Sequence, residues 1–378
     1  MILFYLNSGY VGGAELCAFD VLREFDELGI DYLFAAPKNV MAAALLAPSI
    51  NPKCLLPDVM PESPDATSFQ KIHCWSREAM FILRCRLRYR ITQVFYVAPG
   101  AHRGFGVRLG TQLACLPLLV NYQLFPCVVR YGVAKRLILM GSGLCGETAV
   151  AVSIQNLSCI RRSIGRWIKK LYLLPNLPSK AAEPVERTPV DPRYQSFRNA
   201  YRWIVIGAGS CDRRKGIDRF LAVAAEELDR GETGFVWLGG GADLEAWRRR
   251  APGNCLLLGH APHPLDEMNR SDVFLFLSRG EGFARVLAEA ACLGLPIVAT
   301  PVGGLAEIVA AEATVLTINE ASEEGIIRDA ALALRSALPS CGNRDGRRAR
   351  WLRYDKRSAE TRHNFFAQMK SELAEAVI

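Results

Sequence analysis

Short apolar strands alternate with amphipathic helices along most of this chain, and that alternation restricts the fold more than any other feature. In the first half ILFYL (2–6), DYLFAA (31–36), TQVFYVA (92–98), LLVNY (118–122), AVAVS (149–153) and LYLLPN (171–176) read as strands. Helical spacing of apolar residues covers 14–28 and 75–90. Strands that are apolar throughout, rather than at every second residue, are buried on both faces. Strands separated by helices pair in parallel. The second half repeats the pattern with RWIVIGAG (202–209), FVWLGGG (235–241), NCLLLGH (254–260), DVFLFLS (272–278) and IVAT (297–300). Helices are expected at 215–228, 283–293, 305–312 and 351–377. Between the halves, 177–199 carries four prolines and many charges with no period, the pattern of a linker. The expectation is α/β: two doubly wound, Rossmann-like domains, at 1–180 and 201–350. A linker at 181–200 joins them and a terminal helix at 351–378 follows.

At 378 residues the chain is longer than one core usually serves, which agrees with two domains. A formal charge of +8 favours phosphates, nucleotides and anionic lipid as partners. The excess is scattered, and no nucleic-acid-binding signature is present, so nucleic acid is not an expected partner. Twelve cysteines include no C-x-x-C and no metal-ligand spacing. That fits free thiols in a reducing compartment, and a cytoplasmic location is expected. MILFYLN lacks a basic leader and reads as a first strand. Leu109 to Val129 is 21 uncharged residues, long enough for a membrane span. Its Thr111, Gln112, Asn121, Gln123 and two prolines favour a buried strand with flanking turns instead.

The residues with chemical potential lie where strands give way to helices, which is where open parallel sheets bind ligands. RGEGFARVLAEAACLGLPIVAT (279–300) sets Glu281 and Glu289 eight apart. Gly280 and Gly282 flank Glu281 and place it in a loop ahead of the helix that carries Glu289. Gly294 caps that helix and Pro296 prevents its continuation. GAGSCDRRKG (207–216) puts Arg213, Arg214 and Lys215 at the start of a helix. Cations there oppose the helix dipole, so either an anion such as a diphosphate is expected beside them or the segment is a solvated basic turn. NSGYVGGAEL (7–16) offers Gly12 and Gly13 before a helix, as either a close approach for phosphate or a plain tight turn. Neither glycine segment is G-x-G-x-x-G, so a dinucleotide fingerprint is missing.

EGFARVLAEAACLGLPIVAT followed by VGGLAEIV (302–309) resembles the E-x7-E region of glycosyltransferase family 4, the glycosyl transferases group 1. RRKGIDRFL resembles the phosphate-binding K-G segment of that family. The order GGAE, K-G helix, LGGG, LLLGHAP, SDVFLFLSRGEGF and GG-x-x-E agrees. The resemblance is specific over about 200–310 and weaker over 1–180. It implies a GT-B fold of two Rossmann-like domains facing a cleft, with the terminal helix returning to the N-terminal domain. It implies a retaining, metal-independent hexosyltransferase. The donor would be a nucleotide diphosphate sugar and the acceptor a glycan or lipid-linked molecule, with no cofactor beyond the donor itself. By the resemblance Glu281 faces the transferred sugar, with Gly282, Phe283 and Ala284 beside the sugar and phosphates. Glu289 binds the ribose hydroxyls, and Lys215 with a neighbouring arginine neutralises the leaving diphosphate. Gly12 and Gly13 approach the same diphosphate.

The sequence departs from the family in two places. Many members carry Gly-Arg directly after the strand, where this chain has Gly207-Ala208; Arg213 or Arg214 must substitute, and Arg214 is preferred because it adjoins Lys215. Many also carry an N-domain histidine near the donor sugar; here VNYQLFP has Gln123, and His102 in PGAHRGFG is the other candidate. A degenerate, non-catalytic nucleotide-sugar-binding relative and another GT-B enzyme, such as a sugar-nucleotide epimerase, are the alternative readings. Arg285 is expected to pair with one of the two glutamates. Two basic stretches, with Arg77, Arg84 and Arg88 near Phe81 and with RRSIGRWIKK (161–170) around Trp167, suit either an anionic membrane surface or plain solvation.

Overall fold

The computed structural model describes residues 1–9, 11–46, 55–56, 59, 67–98, 104–124, 132–176, 191–261, 264–310, 315–342 and 344–375. The chain divides into two compact units, Met1–Asn176 with Ser358–Ile378, and Leu177–Arg357.

The first unit contains strands β1 (Ile2–Tyr5), β2 (Tyr32–Ala35), β3 (Leu55–Leu56), β4 (Gln93–Ala98), β5 (Leu118–Tyr122), β6 (Thr148–Ala151) and β7 (Lys170–Leu173). They form one sheet in the order β3-β2-β1-β4-β5-β6-β7. All the pairings are parallel, with Ile2 opposite both Tyr32 and Gln93. Side-chain alternation divides β1 between two cores, Leu3 and Tyr5 on one face and Ile2 and Phe4 on the other. Helices α1 (Gly13–Glu27) and α2 (Lys38–Leu46) cover the Phe4 face; α3 (Ser68–Tyr89), α4 (Phe105–Leu113) and α5 (Val133–Leu144) cover the Tyr5 face. Helix α6 (Ile154–Ser163) follows β6.

Two features of this unit go beyond the sequence expectation. The helix expected at 75–90 starts seven residues earlier, because Thr67 and Gln70 cap its start reciprocally: each side chain accepts the other's backbone N–H. The uncharged stretch 109–129 holds the buried strand expected at 118–122, β5, preceded by a turn and by the end of α4, a helix the sequence did not signal; 125–129 lie outside the described residues. Its polar context is supplied by Arg108, which is fully buried and reaches Glu147 through Nε at 3.0 Å and NH2 at 2.9 Å. The Tyr122 hydroxyl accepts from Arg108 at 2.6 Å. Among the described residues no helix is long and apolar enough to cross a membrane.

Helix α7 (Pro192–Ala200) opens the described part of the second unit. It occupies the last third of the stretch 177–199 expected to be a linker without periodicity. Asp191 accepts from the Arg193 N–H at 2.8 Å and Pro192 stands at the first helical position, two start signals in a row. Strands β8 (Trp203–Ala208), β9 (Thr233–Leu238), β10 (Cys255–Gly259), β11 (Val273–Phe276), β12 (Ile297–Ala299) and β13 (Val315–Thr317) form a parallel sheet in the order β10-β9-β8-β11-β12-β13. Its helices are α8 (Ile217–Glu226), α9 (Leu244–Arg248), α10 (Pro264–Asn269), α11 (Arg285–Cys292), α12 (Leu305–Ala310) and α13 (Glu323–Ala337). The order reverses between β8 and β11, so the carboxyl ends of those two strands flank the crevice where such sheets take ligands.

The last helix, α14, runs Arg344–Glu375. Its C-terminal part belongs to the first unit, where Phe366 is fully buried against Phe25 and Phe95 and the Arg362 Nε meets Glu24 at 3.0 Å.

Candidate active site

Strand β8 ends at Ala208, and residues 209–216 lead into α8. Asp212 shapes this turn: its Oδ1 accepts from the Lys215 N–H at 2.9 Å and its Oδ2 from the Ser210 hydroxyl. Gly216 closes the turn at φ +80°, directly against the Leu277 carbonyl, where any side chain would collide. The start of α8 is therefore pressed onto the end of β11. The sheet register puts β8 and β11 side by side, Val205 opposite Val273.

That adjacency brings together residues distant in sequence. The Lys215 Nζ lies 2.6 Å from Glu281 Oε1, and Arg214 NH1 lies 3.3 Å from the same oxygen. Arg214 also donates to the Gly280 carbonyl at 3.2 Å. The Ser278 hydroxyl shares its hydrogen between Glu281 Oε1 at 3.1 Å and the Arg214 carbonyl at 2.9 Å. Glu281 is only 4% exposed, so its charge depends on these partners. It lies in a loop before α11, as the sequence predicts.

A second layer of charge holds the cationic turn from behind. Arg279 donates its backbone N–H to the Arg214 carbonyl at 2.8 Å and its NH1 to the Arg213 carbonyl. Its guanidinium also forks onto Asp218, at 2.8 and 2.9 Å, and reaches Glu323 at 2.8 Å. Arg219 makes a bidentate pair with Glu323, at 2.8 and 2.7 Å. Burial alone would push the Asp218 carboxyl up, but hydrogen bonds and charge from Arg279, with Arg213, hold it below its ordinary range. Glu323 is lowered chiefly by its hydrogen bonds to Arg219.

Arg213 points into this second layer. Its Nε lies 3.3 Å from Asp218 and its side chain is largely exposed. Lys215 and Arg214 converge on Glu281, and Arg213 does not join them.

The loop 281–284 is fixed from the other side. The Phe283 carbonyl accepts from the Gly304 N–H at 2.7 Å. Gly303, at φ +68°, and Gly304 pack so tightly on Glu281 and Phe283 that a Cβ at either would be crowded. Ala284 takes the left-handed conformation at φ +64°, uncommon for a residue with a side chain, and α11 starts immediately after it. One turn along, the Glu289 carboxylate accepts from the Arg285 Nε at 2.9 Å. This is the arginine–glutamate pair anticipated from sequence. Gly294, at φ +70°, terminates the helix.

In the first unit Gly12 and Gly13 open α1. The Glu15 carboxylate accepts from the Gly12 N–H at 2.8 Å, and the space that a Gly13 Cβ would occupy is open. Gln123 is buried at the end of β5, donating to Asn121 Oδ1 at 2.7 Å and accepting from Asn176. His102 lies outside the described residues.

Sequence reasoning did not single out Ser278, Arg279, Asp218 and Glu323. Ser278 and Arg279 stand immediately ahead of Gly280, where the glycines and Glu281 carry the stronger local signal. Asp218 and Glu323 gave no local signal, since their role depends on a tertiary contact with Arg279.

Comparison with known proteins bears on the family of the second unit and on the fold. Residues 202–335 match the family model described as glycosyl transferases group 1. No curated protein sequence matches the chain. Solved structures do. A glycosyltransferase from Rickettsia africae superposes with a TM-score of 0.73 at 13% identity, over 99% of this chain and 98% of that one. HepE from Anabaena, in complex with UDP, gives 0.69 at 16% identity over 98% and 99%. A sucrose-phosphate synthase from Thermosynechococcus elongatus gives 0.68 at 17% identity over 100% of both chains. At these identities the likeness establishes the fold: two Rossmann-like domains of the GT-B type.

Proposed function

We infer that this chain, a glycosyltransferase whose residues 202–335 form a group 1 domain, moves a hexose from a nucleotide diphosphate sugar to a glycan or lipid-linked acceptor with retention of configuration. The observation that carries the reading is the convergence of Lys215 and Arg214 on the buried Glu281 at the switch point of the second sheet. Two cations fixed beside the N-terminal ends of α8 and α11 suit a diphosphate. Breaking the bond between sugar and phosphate leaves negative charge on the diphosphate and positive charge on the sugar. Lys215 and Arg214 would stabilise the first, and the Glu281 carboxylate the second. Because the cations hold fixed positions before reaction, little reorganisation is needed as charge develops.

Glu289, held in orientation by Arg285, would accept from the ribose hydroxyls, a role open to a carboxylate with two acceptor oxygens. Gly282, Phe283 and Ala284 would line the sugar and phosphates. The charge supplied by the protein supports a metal-independent reaction. Anabaena HepE has been solved with UDP and with UDP-glucose, which makes uridine donors the first to try.

Calorimetric titration with UDP, GDP and ADP in the presence of EDTA tests the reading. Tight binding of one of them, lost in Lys215→Ala, is expected. Failure of all three to bind would overturn the donor-site assignment. Release of free sugar from the bound donor would argue against a non-catalytic relative.

A further inference from the structure

The outward faces of α3 and α5 each carry an apolar stripe. On α5, Val133, Leu137, Met140 and Leu144 follow one another at helical spacing and all are exposed, Leu144 to 83%. Leu139 and Ser142, on the opposite side of the helix, are the buried ones. On α3 the same inversion holds: Phe69, Ile72, Met80 and Leu87 are exposed, Leu87 to 76%, while Glu78, Ala79, Ile82 and Cys85 face the core. Both helices pack on α4, so both stripes belong to one side of the first unit. Single exposed apolar residues need no explanation, but two stripes opposite the buried faces of the helices on either side of α4 mark a surface with a use.

Charge identifies what the surface meets. Between residues 67 and 176 the sequence carries 16 lysines and arginines against two acidic residues, Glu78 and Glu147. Both acids are buried. The exposed charge of this region is therefore cationic, in a chain whose net charge is only +8. Arg84, Arg88 and Arg136 are exposed on the same two helices as the stripes. Apolar side chains flanked by cations with no exposed acid between them are complementary to an anionic lipid surface, where the leucines enter the acyl boundary and the arginines meet headgroup phosphates.

We propose that the α3–α5 face docks the protein onto an anionic bilayer. Arg84 and Arg88, named from the sequence, belong to this surface; Arg86, between them, instead donates to the Ile91 carbonyl at 2.6 Å and closes the end of α3. Phe81 and Trp167 pack against the core of the unit. The apolar contribution comes instead from α5, which carries no acidic residue, and from the outer stripe of α3. The inference does not depend on the donor-site reading, because none of these residues belongs to the second unit.

The test is co-sedimentation of the full chain with phosphatidylglycerol vesicles and, separately, phosphatidylcholine vesicles. Two variants accompany the parent: Leu87→Ser with Leu137→Ser and Leu144→Ser, and Arg84→Gln with Arg88→Gln and Arg136→Gln. The parent is expected to bind phosphatidylglycerol and not phosphatidylcholine, and each variant to bind at least about tenfold more weakly. Unchanged nucleoside diphosphate binding and thermal unfolding show that the variants are folded. No binding by the parent, equal binding to both lipids, or binding unaffected in both variants overturns the proposal. So does a parent that is dimeric without lipid and is made monomeric by the leucine variant, since the stripes would then join two copies. A parent that sediments with vesicles yet binds no nucleotide upholds the docking face and removes the donor site alone.

Discussion

Lys215 Nζ and Glu281 Oε1 lie 2.6 Å apart, at the carboxyl ends of the two strands between which the second sheet reverses its order. The carboxylate pairs with the lysine and, at 3.3 Å, with Arg214. A diphosphate must compete with it for both cations.

That competition gives the first prediction. Glu281→Gln frees Lys215 and Arg214 and should bind the bare nucleoside diphosphate as tightly as the parent or more so, by up to about tenfold for one lost charge-assisted contact. Turnover should nevertheless fall by roughly 10²–10³-fold, the usual cost of losing one preorganised electrostatic group. Lys215→Ala should lose both binding and turnover. Calorimetry beside steady-state kinetics separates the two patterns, and parallel losses of binding and turnover in Glu281→Gln would remove the competition.

The Arg285–Glu289 pair carries the second prediction. If the Glu289 carboxylate accepts from ribose hydroxyls, Glu289→Ala should weaken the ribonucleotide by about 10–100-fold, the range for hydrogen bonds to a charged group. The 2′-deoxy nucleotide already lacks one of those hydrogen bonds and should lose less. Equal losses for the two nucleotides would show that Glu289 supports the helix rather than the ribose.

Most of the second unit is legible in the sequence because its signals are local. An E-G-F loop between glycines, a Gly294 cap and a K-G helix start each state their own conformation. The first unit is less so. The start of α3, like that of α7 at the entrance to the second unit, was written in a short capping signal, Thr67 with Gln70 and Asp191 with Pro192, which the surrounding composition concealed. The α5 stripe was not legible at all: apolar residues at helical spacing normally mark the buried face, and only the structure shows that these point outward. The role of Arg279 was equally hidden, since its four partners come from the turn before α8, from α8 itself and from the start of α13.

Ala284 provides the third prediction. Its left-handed φ of +64° costs a residue with a Cβ roughly 1 kcal/mol that glycine would not pay. Ala284→Gly should therefore leave stability unchanged or raise it by about that amount. Ala284→Val should lower it by more, since a β-branched side chain tolerates the conformation least. Chemical denaturation of the three proteins checks the order, and a destabilised glycine variant would show that the alanine methyl contributes packing that outweighs its strain.

The last prediction concerns Arg279, which touches no proposed substrate group but binds the carbonyls of both arginines ahead of Lys215. Arg279→Gln should loosen the cationic turn and lower kcat more than it weakens nucleotide binding. It should also change the response to acid. Asp218 and Glu323 both titrate below their ordinary values of 3.8 and 4.5 in the folded protein. The stability they contribute is fully present above those values and is lost as pH falls from about 4.5 through the lower folded values. Removing Arg279 leaves Asp218 buried with less to offset its desolvation, so its folded pKa rises towards the unfolded one and that part of the acid sensitivity shrinks. Thermal unfolding midpoints measured from pH 7 down to pH 3 should fall more steeply in the parent than in Arg279→Gln, with the two curves converging at the acid end. Parallel curves would mean that the arginine does not hold these carboxylates. A variant with normal kcat would mean that the turn keeps its shape without the arginine.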